Sequence, residues 1–96
     1  MKSILEKLYP EYFRFLHEGK IPLLYIPYLR TFGIRLIHTE AYQQLYYCPW
    51  SGKKFPQSLE DIYFATLEKI KVEPYEREKI PPQMQNEEWW VDLGLD

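Results

Sequence analysis

The chain has 96 residues and a formal net charge of −2, from 12 basic and 14 acidic side chains. This length supports one hydrophobic core, so we predict a single domain over 1–96. The sequence lacks an uncharged apolar run long enough to cross a membrane, a second cysteine for an internal disulfide, a phosphate-binding glycine loop, a nucleophile elbow and a paired-histidine zinc helix.

A helix over 3–18 is the first predicted element. Ser3 and Glu6 have the spacing of a capping box, in which each side chain satisfies a free backbone amide. Pro10 predicts either a kink or a second helix that begins at the proline, and Gly19 predicts the end of the helix. The apolar stripe at helical spacing consists of Ile4, Leu5, Leu8, Tyr12, Phe13 and Leu16.

Short strands are predicted in the next part of the chain. Residues 23–28 are a candidate edge strand, because Pro27 cannot donate a hydrogen bond to a neighbouring strand. Residues 33–39 and 43–48 both alternate between apolar and polar side chains, and the linker 40–42 between them predicts an antiparallel hairpin. A turn-rich connection over 48–56 follows.

The second half of the chain predicts one packed helix and a tail. The helix covers 58–70, begins at Ser58, and packs on the sheet through Leu59, Ile62, Tyr63, Leu67 and Ile70. Prolines in 72–86 predict irregular structure, and Asn86 caps a short helix over 86–92. The predicted fold class is α+β, with an N-terminal helix, a small antiparallel sheet of two or three strands, one packed helix and an irregular C-terminal tail.

The turn-rich connection also carries a family resemblance. Residues 47–59 read Tyr-Cys-Pro-Trp-Ser-Gly-Lys-Lys-Phe-Pro-Gln-Ser-Leu. They resemble the motif Tyr-Cys-Pro-Trp-Cys-Gly-Lys-Lys-Leu-Pro-x-Ser-Leu of a family of small, largely uncharacterised bacterial proteins. The similarity extends to 26–35, to the helix over 58–70, and to the Glu-Trp-Trp at 88–90.

The family motif contains half of a zinc knuckle, and this chain departs from it. Ser51 stands where the motif has its second cysteine, and a neutral hydroxyl is a poor zinc ligand. His38 shares its predicted strand face with apolar residues, so we expect it to lie against the core. We therefore predict no metal site and no cofactor, and a turn that Pro49 and Gly52 maintain without metal.

The helix over 58–70 carries the surface that we predict to bind a partner. Phe64 falls on the same helical face as Glu60, Asp61 and Glu68, opposite the buried stripe. One interpretation is that Trp89 or Trp90 of the tail covers the Phe64 ring. The other is an exposed aromatic anchor surrounded by carboxylates, an arrangement typical of surfaces that bind basic partners.

The tail is predicted to extend this surface. Because Trp89 and Trp90 are adjacent, we expect Trp89 to attach the tail to the core and Trp90 to be more exposed. The alternative is that both tryptophans serve only to dock the tail. The complete predicted partner-binding set is Glu60, Asp61, Phe64, Glu68, Glu87, Glu88 and Trp90.

Charge distribution supports a basic partner. Residues 1–54 carry 8 basic and 4 acidic side chains, whereas residues 55–96 carry 4 basic and 10 acidic ones. We predict a non-catalytic bacterial immunity protein that neutralises a basic toxin, such as a nuclease, by filling its cleft with carboxylates and aromatic rings. Charges at Lys2, Glu6 and Lys7 exclude a secretion signal and predict cytoplasmic localisation.

Other functions remain as alternatives. The chain could be a metal-free relic of a zinc-ribbon-like protein that acts as a structural or homo-oligomeric accessory domain. Basic residues interleaved with tyrosines suggest a nucleic-acid surface, but the small positive excess and the acidic tail argue against it. A Cys48–His38 pair is the one catalytic candidate, and a lone cysteine after an apolar strand is more typical of a buried, inert thiol.

Overall fold

A computed structural model describes residues 4–95 and shows an α+β fold, in agreement with the predicted class. The elements are α1 (Leu5–Leu8), α2 (Pro10–Glu18), β1 (Leu23–Ile26), β2 (Thr31–Arg35), β3 (Tyr42–Gln44), α3 (Glu60–Lys69) and α4 (Glu88–Asp92). Three 3-10 turns connect them, at Pro27–Leu29, Arg77–Lys79 and Pro82–Gln85. No helix within 4–95 has the length and apolar character needed to span a membrane.

Pro10 divides the N-terminal region into two helices, which is the second of the two predicted outcomes. The proline occupies the first position of α2, where its missing N–H would have no helical partner. Gly19 ends α2 in the left-handed conformation, with φ of 74°. Ser3 of the predicted capping box lies outside the described residues, and the first helix begins after Ile4.

The three strands form one antiparallel sheet in the order β1-β2-β3. The predicted hairpin is present as β2 and β3, and β1 lies at the edge, where Pro27 ends it. The prediction that the strand continues to residue 39 is wrong. Leu36 and Ala41 instead close a hairpin loop by a hydrogen bond of 3.1 Å, and His38 adopts a positive φ of 66°.

His38 therefore lies exposed in the hairpin loop and not against the core, as its strand alternation predicted. The following strand is also shorter than predicted, because β3 ends at Gln44. Beyond it, an isolated antiparallel bridge pairs Tyr47 with Lys54 across the turn-rich connection, and the N–H of Phe55 donates to the carbonyl of Tyr46 at 2.8 Å.

Aromatic rings fill the core between the sheet and α2. The rings of Phe32 and Phe55 stack at a centroid distance of 4.0 Å, and Tyr12 meets Phe32 edge to face at 5.3 Å. The Tyr12 hydroxyl lies between two strands, where it donates to the carbonyl of Leu24 at 2.6 Å and accepts from the N–H of Gly33 at 3.2 Å. Tyr12 thus fixes α2 to the sheet in two ways: its hydroxyl forms buried hydrogen bonds, and its ring buries apolar surface against Phe32.

Helix α3 packs against the 3-10 turn that follows β1, at the end of the sheet. Leu59 donates its N–H to the carbonyl of Leu29 at 2.8 Å, and the rings of Tyr63 and Tyr28 lie 5.2 Å apart. The buried stripe of the helix is narrower than predicted, because Ile62 and Ile70 are exposed. The reason is that α3 packs on the short 3-10 turn at Pro27–Leu29, which buries fewer of its side chains than a sheet face would bury.

The tail follows the surface and then enters the core at α4. Residues 72–86 are irregular apart from the two short 3-10 turns, as predicted. Asn86 caps α4, accepting the N–H of Glu88 on its side-chain oxygen at 2.7 Å. The tail thereby packs on the same 3-10 turn at Pro27–Leu29 that α3 contacts, and the rings of Trp89 and Tyr63 lie 5.7 Å apart.

Gly33 provides a test of the strand packing. A methyl group at this position would lie 2.8 Å from Cδ2 of Tyr42 and 2.9 Å from the backbone oxygen of Gln43. We expect Gly33→Ala to lower the free energy of unfolding by about 1–3 kcal/mol, although alanine is the better strand residue. Urea denaturation measures the loss.

Gln43→Ala is the control for that substitution. The Gln43 side chain is exposed on the neighbouring strand, so its removal should lower the free energy of unfolding by less than about 0.5 kcal/mol. Adding Tyr42→Ala should restore only part of the loss, because the Gln43 carbonyl belongs to the backbone and cannot move away. Wild-type stability of Gly33→Ala would contradict this description of the sheet.

Candidate functional site

The predicted acidic face of α3 lies at the surface. Glu60, Asp61 and Glu68 are exposed, and Phe64 retains 39% of its accessible surface. The ring of Phe64 meets the Tyr63 ring edge to face at 5.5 Å. The tail does not seal Phe64, so this aromatic ring is available to solvent beside carboxylates one helical turn away on either side.

Both tryptophans of the tail are buried, and the prediction that Trp90 is exposed is wrong. Trp89 is 5% exposed and Trp90 is 0% exposed. The Trp90 indole N–H donates to the carbonyl of Pro27 at 2.8 Å, and that of Trp89 donates to the carbonyl of Tyr28 at 2.9 Å. Adjacent residues of the helix reach two successive carbonyls of one turn, which explains why both rings enter the core.

The two predicted glutamates of the tail differ in their surroundings. Glu87 is half-buried and accepts a hydrogen bond from the Tyr25 hydroxyl, so it is engaged within the molecule. Glu88 is exposed at the start of α4. Four of the seven predicted partner-binding residues, Glu60, Asp61, Phe64 and Glu68, therefore share one exposed face of α3. Of the other three, Glu88 is exposed on α4, Glu87 is bound by Tyr25, and Trp90 is buried.

Glu60 and Asp61 also line a cavity of about 360 Å³ at the start of α3. Lys54 lies in its lining together with Gln44 and Ser58, so this cavity carries charges of both signs. Burial raises the pKa of the nearby Tyr42 hydroxyl, and the negative charge of Glu60 raises it further. The Glu60 carboxylate of α3 therefore acts electrostatically on a tyrosine of β3, a strand at the edge of the sheet.

A second cavity, of about 340 Å³, lies between α3 and the tail. Its lining includes Tyr28, Tyr63, Phe64, Arg77, Ile80 and Gln85. Burial raises the pKa of the Tyr63 hydroxyl, as does Tyr28, whereas the positive charge of Arg77 opposes the rise. We call this space the aromatic cavity.

Sequence reasoning missed the aromatic cavity for two reasons. It assigned Tyr63 to a buried stripe and Arg77 to an irregular surface segment. The adjacent Tyr63 and Phe64 were the available signal, because successive side chains on a helix point about 100° apart, which directs the Phe64 ring away from the face that buries Tyr63.

The turn at 48–53 is closed by the backbone. Cys48 is buried, its N–H donates to the carbonyl of Lys53 at 2.8 Å, and its carbonyl accepts the N–H of Gly52 at 2.8 Å. Gly52 has a φ of 74°, the conformation that favours glycine. Ser51 is exposed, and no group of three or more His, Cys, Asp or Glu side chains within 4–95 could hold a metal ion.

Comparison with known proteins gives one match. A family model described as Domain of unknown function (DUF6980) matches residues 16–92. No curated protein matches the chain, and no solved structure matches it either. The matched range contains every strand of the sheet, helices α3 and α4, and the whole lining of the aromatic cavity.

Replacing Trp90 or Phe64 by alanine distinguishes an aromatic ring that stabilises the fold from one that lies at the surface. Trp90→Ala should lower the free energy of unfolding by about 3–5 kcal/mol, because it removes a fully buried ring and its indole hydrogen bond to the Pro27 carbonyl. Phe64→Ala should cost about 1 kcal/mol or less. Urea denaturation of the two variants compares them, and similar losses would contradict the assignment.

Proposed function

The chain belongs to the DUF6980 family, whose description assigns no activity, and we propose that it acts as a non-catalytic protein-binding domain. The observation that carries this proposal is the exposed ring of Phe64 on α3, with Glu60, Asp61 and Glu68 exposed on the same helix. Aromatic anchors supply binding energy when a partner removes them from water, and surrounding carboxylates steer a positively charged partner toward them.

Helical geometry makes this set a continuous surface. Glu60 and Glu68 lie four residues before and after Phe64, and Asp61 lies three residues before it, so all three are neighbours of the ring. The segment 55–96, to which α3 belongs, carries 10 acidic and 4 basic side chains in sequence. We call Glu60, Asp61, Phe64 and Glu68 the acidic-aromatic surface.

A basic protein is the partner that this surface fits. In the most specific form of the proposal, the chain is a cytoplasmic immunity protein of bacteria, and the partner is a toxin such as a nuclease. A nuclease cleft must be positively charged to hold phosphate, so a carboxylate-rich surface would occupy it and also repel the nucleic acid. In this proposal the protein needs no catalytic group of its own.

The turn at 48–53 favours a second candidate function. Its backbone hydrogen bonds and the left-handed Gly52 keep a tight turn although Ser51 stands where the similar cysteine motif has its second cysteine. The chain would then be a metal-free relic of a zinc-ribbon-like protein, acting as a structural or homo-oligomeric accessory domain. Sedimentation at two concentrations distinguishes the two functions, because a stable dimer through the exposed Tyr46 and Tyr47 favours the second.

The binding proposal is tested by quantitative capture from the host lysate, followed by affinity measurement with the purified partner. We expect a basic protein whose affinity falls about tenfold or more with Phe64→Ala, the size of a hot-spot effect. The triple variant Glu60→Gln, Asp61→Asn, Glu68→Gln should mainly slow association and flatten its dependence on salt. For a nuclease partner, the wild-type chain should also inhibit cleavage.

Ile62→Ala is the matched control, since Ile62 is exposed on the same helix but outside the acidic-aromatic surface. It should leave affinity for the partner unchanged. A partner whose binding is indifferent to Phe64 and to the three carboxylates would overturn the proposed surface.

A further inference from the structure

The aromatic cavity is a second site, separate in chemistry from the acidic-aromatic surface. We propose that it binds the carboxylate group of a small apolar acid, with the Arg77 guanidinium and the Tyr28 and Tyr63 hydroxyls as hydrogen-bond donors. This inference goes beyond the proposed function, because it assigns a ligand of negative charge to a chain whose proposed partner is positive.

The donors of the cavity are available to a ligand. Arg77 forms no ion pair with any carboxylate among residues 4–95, although it follows Glu76 directly. Glu76 is instead bound to the Lys79 ammonium at 2.6 Å and to the backbone N–H of Glu73 at 3.1 Å. The lining contains no acidic residue, so the positive charge of Arg77 is not neutralised within the cavity.

Two tyrosine hydroxyls add neutral donors beside this cation. Neither Tyr28 nor Tyr63 forms a side-chain hydrogen bond with another residue of the described chain, although Tyr63 is only 4% exposed. The three residues line the same cavity, and the rings of Tyr28 and Tyr63 lie 5.2 Å apart. A guanidinium fork with two hydroxyl donors matches the oxygen atoms of a carboxylate.

The apolar walls of the cavity indicate what the part of the ligand outside its carboxylate must be. The rings of Tyr28 and Tyr63 lie 5.2 Å apart and tilted at 49°, and Ile80 is buried beside them. Phe64 forms part of the rim with its partly exposed ring. A volume of about 340 Å³ with these walls suits a single aromatic or branched apolar group carrying one acid.

The cavity is held in shape before any ligand binds. The indole N–H of Trp89 fixes the Tyr28 backbone at 2.9 Å, and the Trp89 ring contacts the Tyr63 ring at 5.7 Å. Gln85 donates its side-chain N–H to the carbonyl of Ile80 at 3.0 Å, which fixes the opposite wall. A preformed site loses little conformational entropy on binding.

Titration of the ¹⁵N-labelled chain with phenylacetate, followed by NMR amide shifts, tests the proposal. We expect saturable shifts around the cavity and an affinity about tenfold or more above that of neutral phenylacetamide, because the charge-assisted bonds to Arg77 are lost with the amide. Arg77→Met should reduce phenylacetate affinity by a similar factor, and Tyr28→Phe and Tyr63→Phe should each reduce it severalfold. Arg35→Met, an exposed arginine outside the cavity, should have no effect.

The same carboxylate chemistry could come from a free acid or from the carboxyl terminus of a peptide. A Gly-Gly-Phe peptide with a free terminus, compared with its amidated form, distinguishes the two sources. Binding of phenylacetate alone indicates a free acid, and binding of the free-acid peptide as well indicates a chain terminus. Equal affinity for phenylacetate and phenylacetamide, unchanged affinity in Arg77→Met, or an absence of shifts at the cavity would overturn the proposal.

Discussion

Each of the three successive carbonyl groups of the turn at Pro27–Leu29 accepts a hydrogen bond from a distant segment of the chain. The carbonyls of Pro27 and Leu29 also accept one from the neighbouring Arg30 and Thr31, respectively. The Trp90 and Trp89 indoles donate to Pro27 and Tyr28, and the backbone N–H of Leu59 donates to Leu29. Each of these long-range bonds fixes a distant segment to the same short turn, and the loss of any of them would cost free energy. The end of the sheet, α3 and α4 therefore meet at this turn.

Arg30 extends the same junction by one residue. It has a φ of 48°, is 8% exposed, and donates its guanidinium to the carbonyls of Gln57 and Leu95. The guanidinium also lies 5.6 Å from the ring centroid of Trp90. Arginine suits this position because its planar fork offers several donors in fixed directions, so one side chain can satisfy carbonyls from two separate segments.

Local signals in the sequence predicted local structure well. Pro10 and Gly19 marked helix boundaries because each acts on its own backbone, and the hairpin followed from alternation. Other features depend on contacts between distant parts of the chain, which composition and periodicity do not predict. They are the burial of Trp90, the hydrogen bond from the Tyr25 hydroxyl to Glu87, and the position of Arg77 beside aromatic rings. The exposed α3 face was predictable because a helix fixes the relative directions of its own side chains.

The junction at Pro27–Leu29 has a consequence for how the chain folds. Its indole bonds join residues separated by 61 and 63 positions, so closing them costs more loop entropy than closing the β2–β3 hairpin over a few residues. We therefore expect tail docking to follow hairpin formation and to reverse while the sheet remains folded. Amide protons of α4 should then exchange with solvent sooner than those of β2.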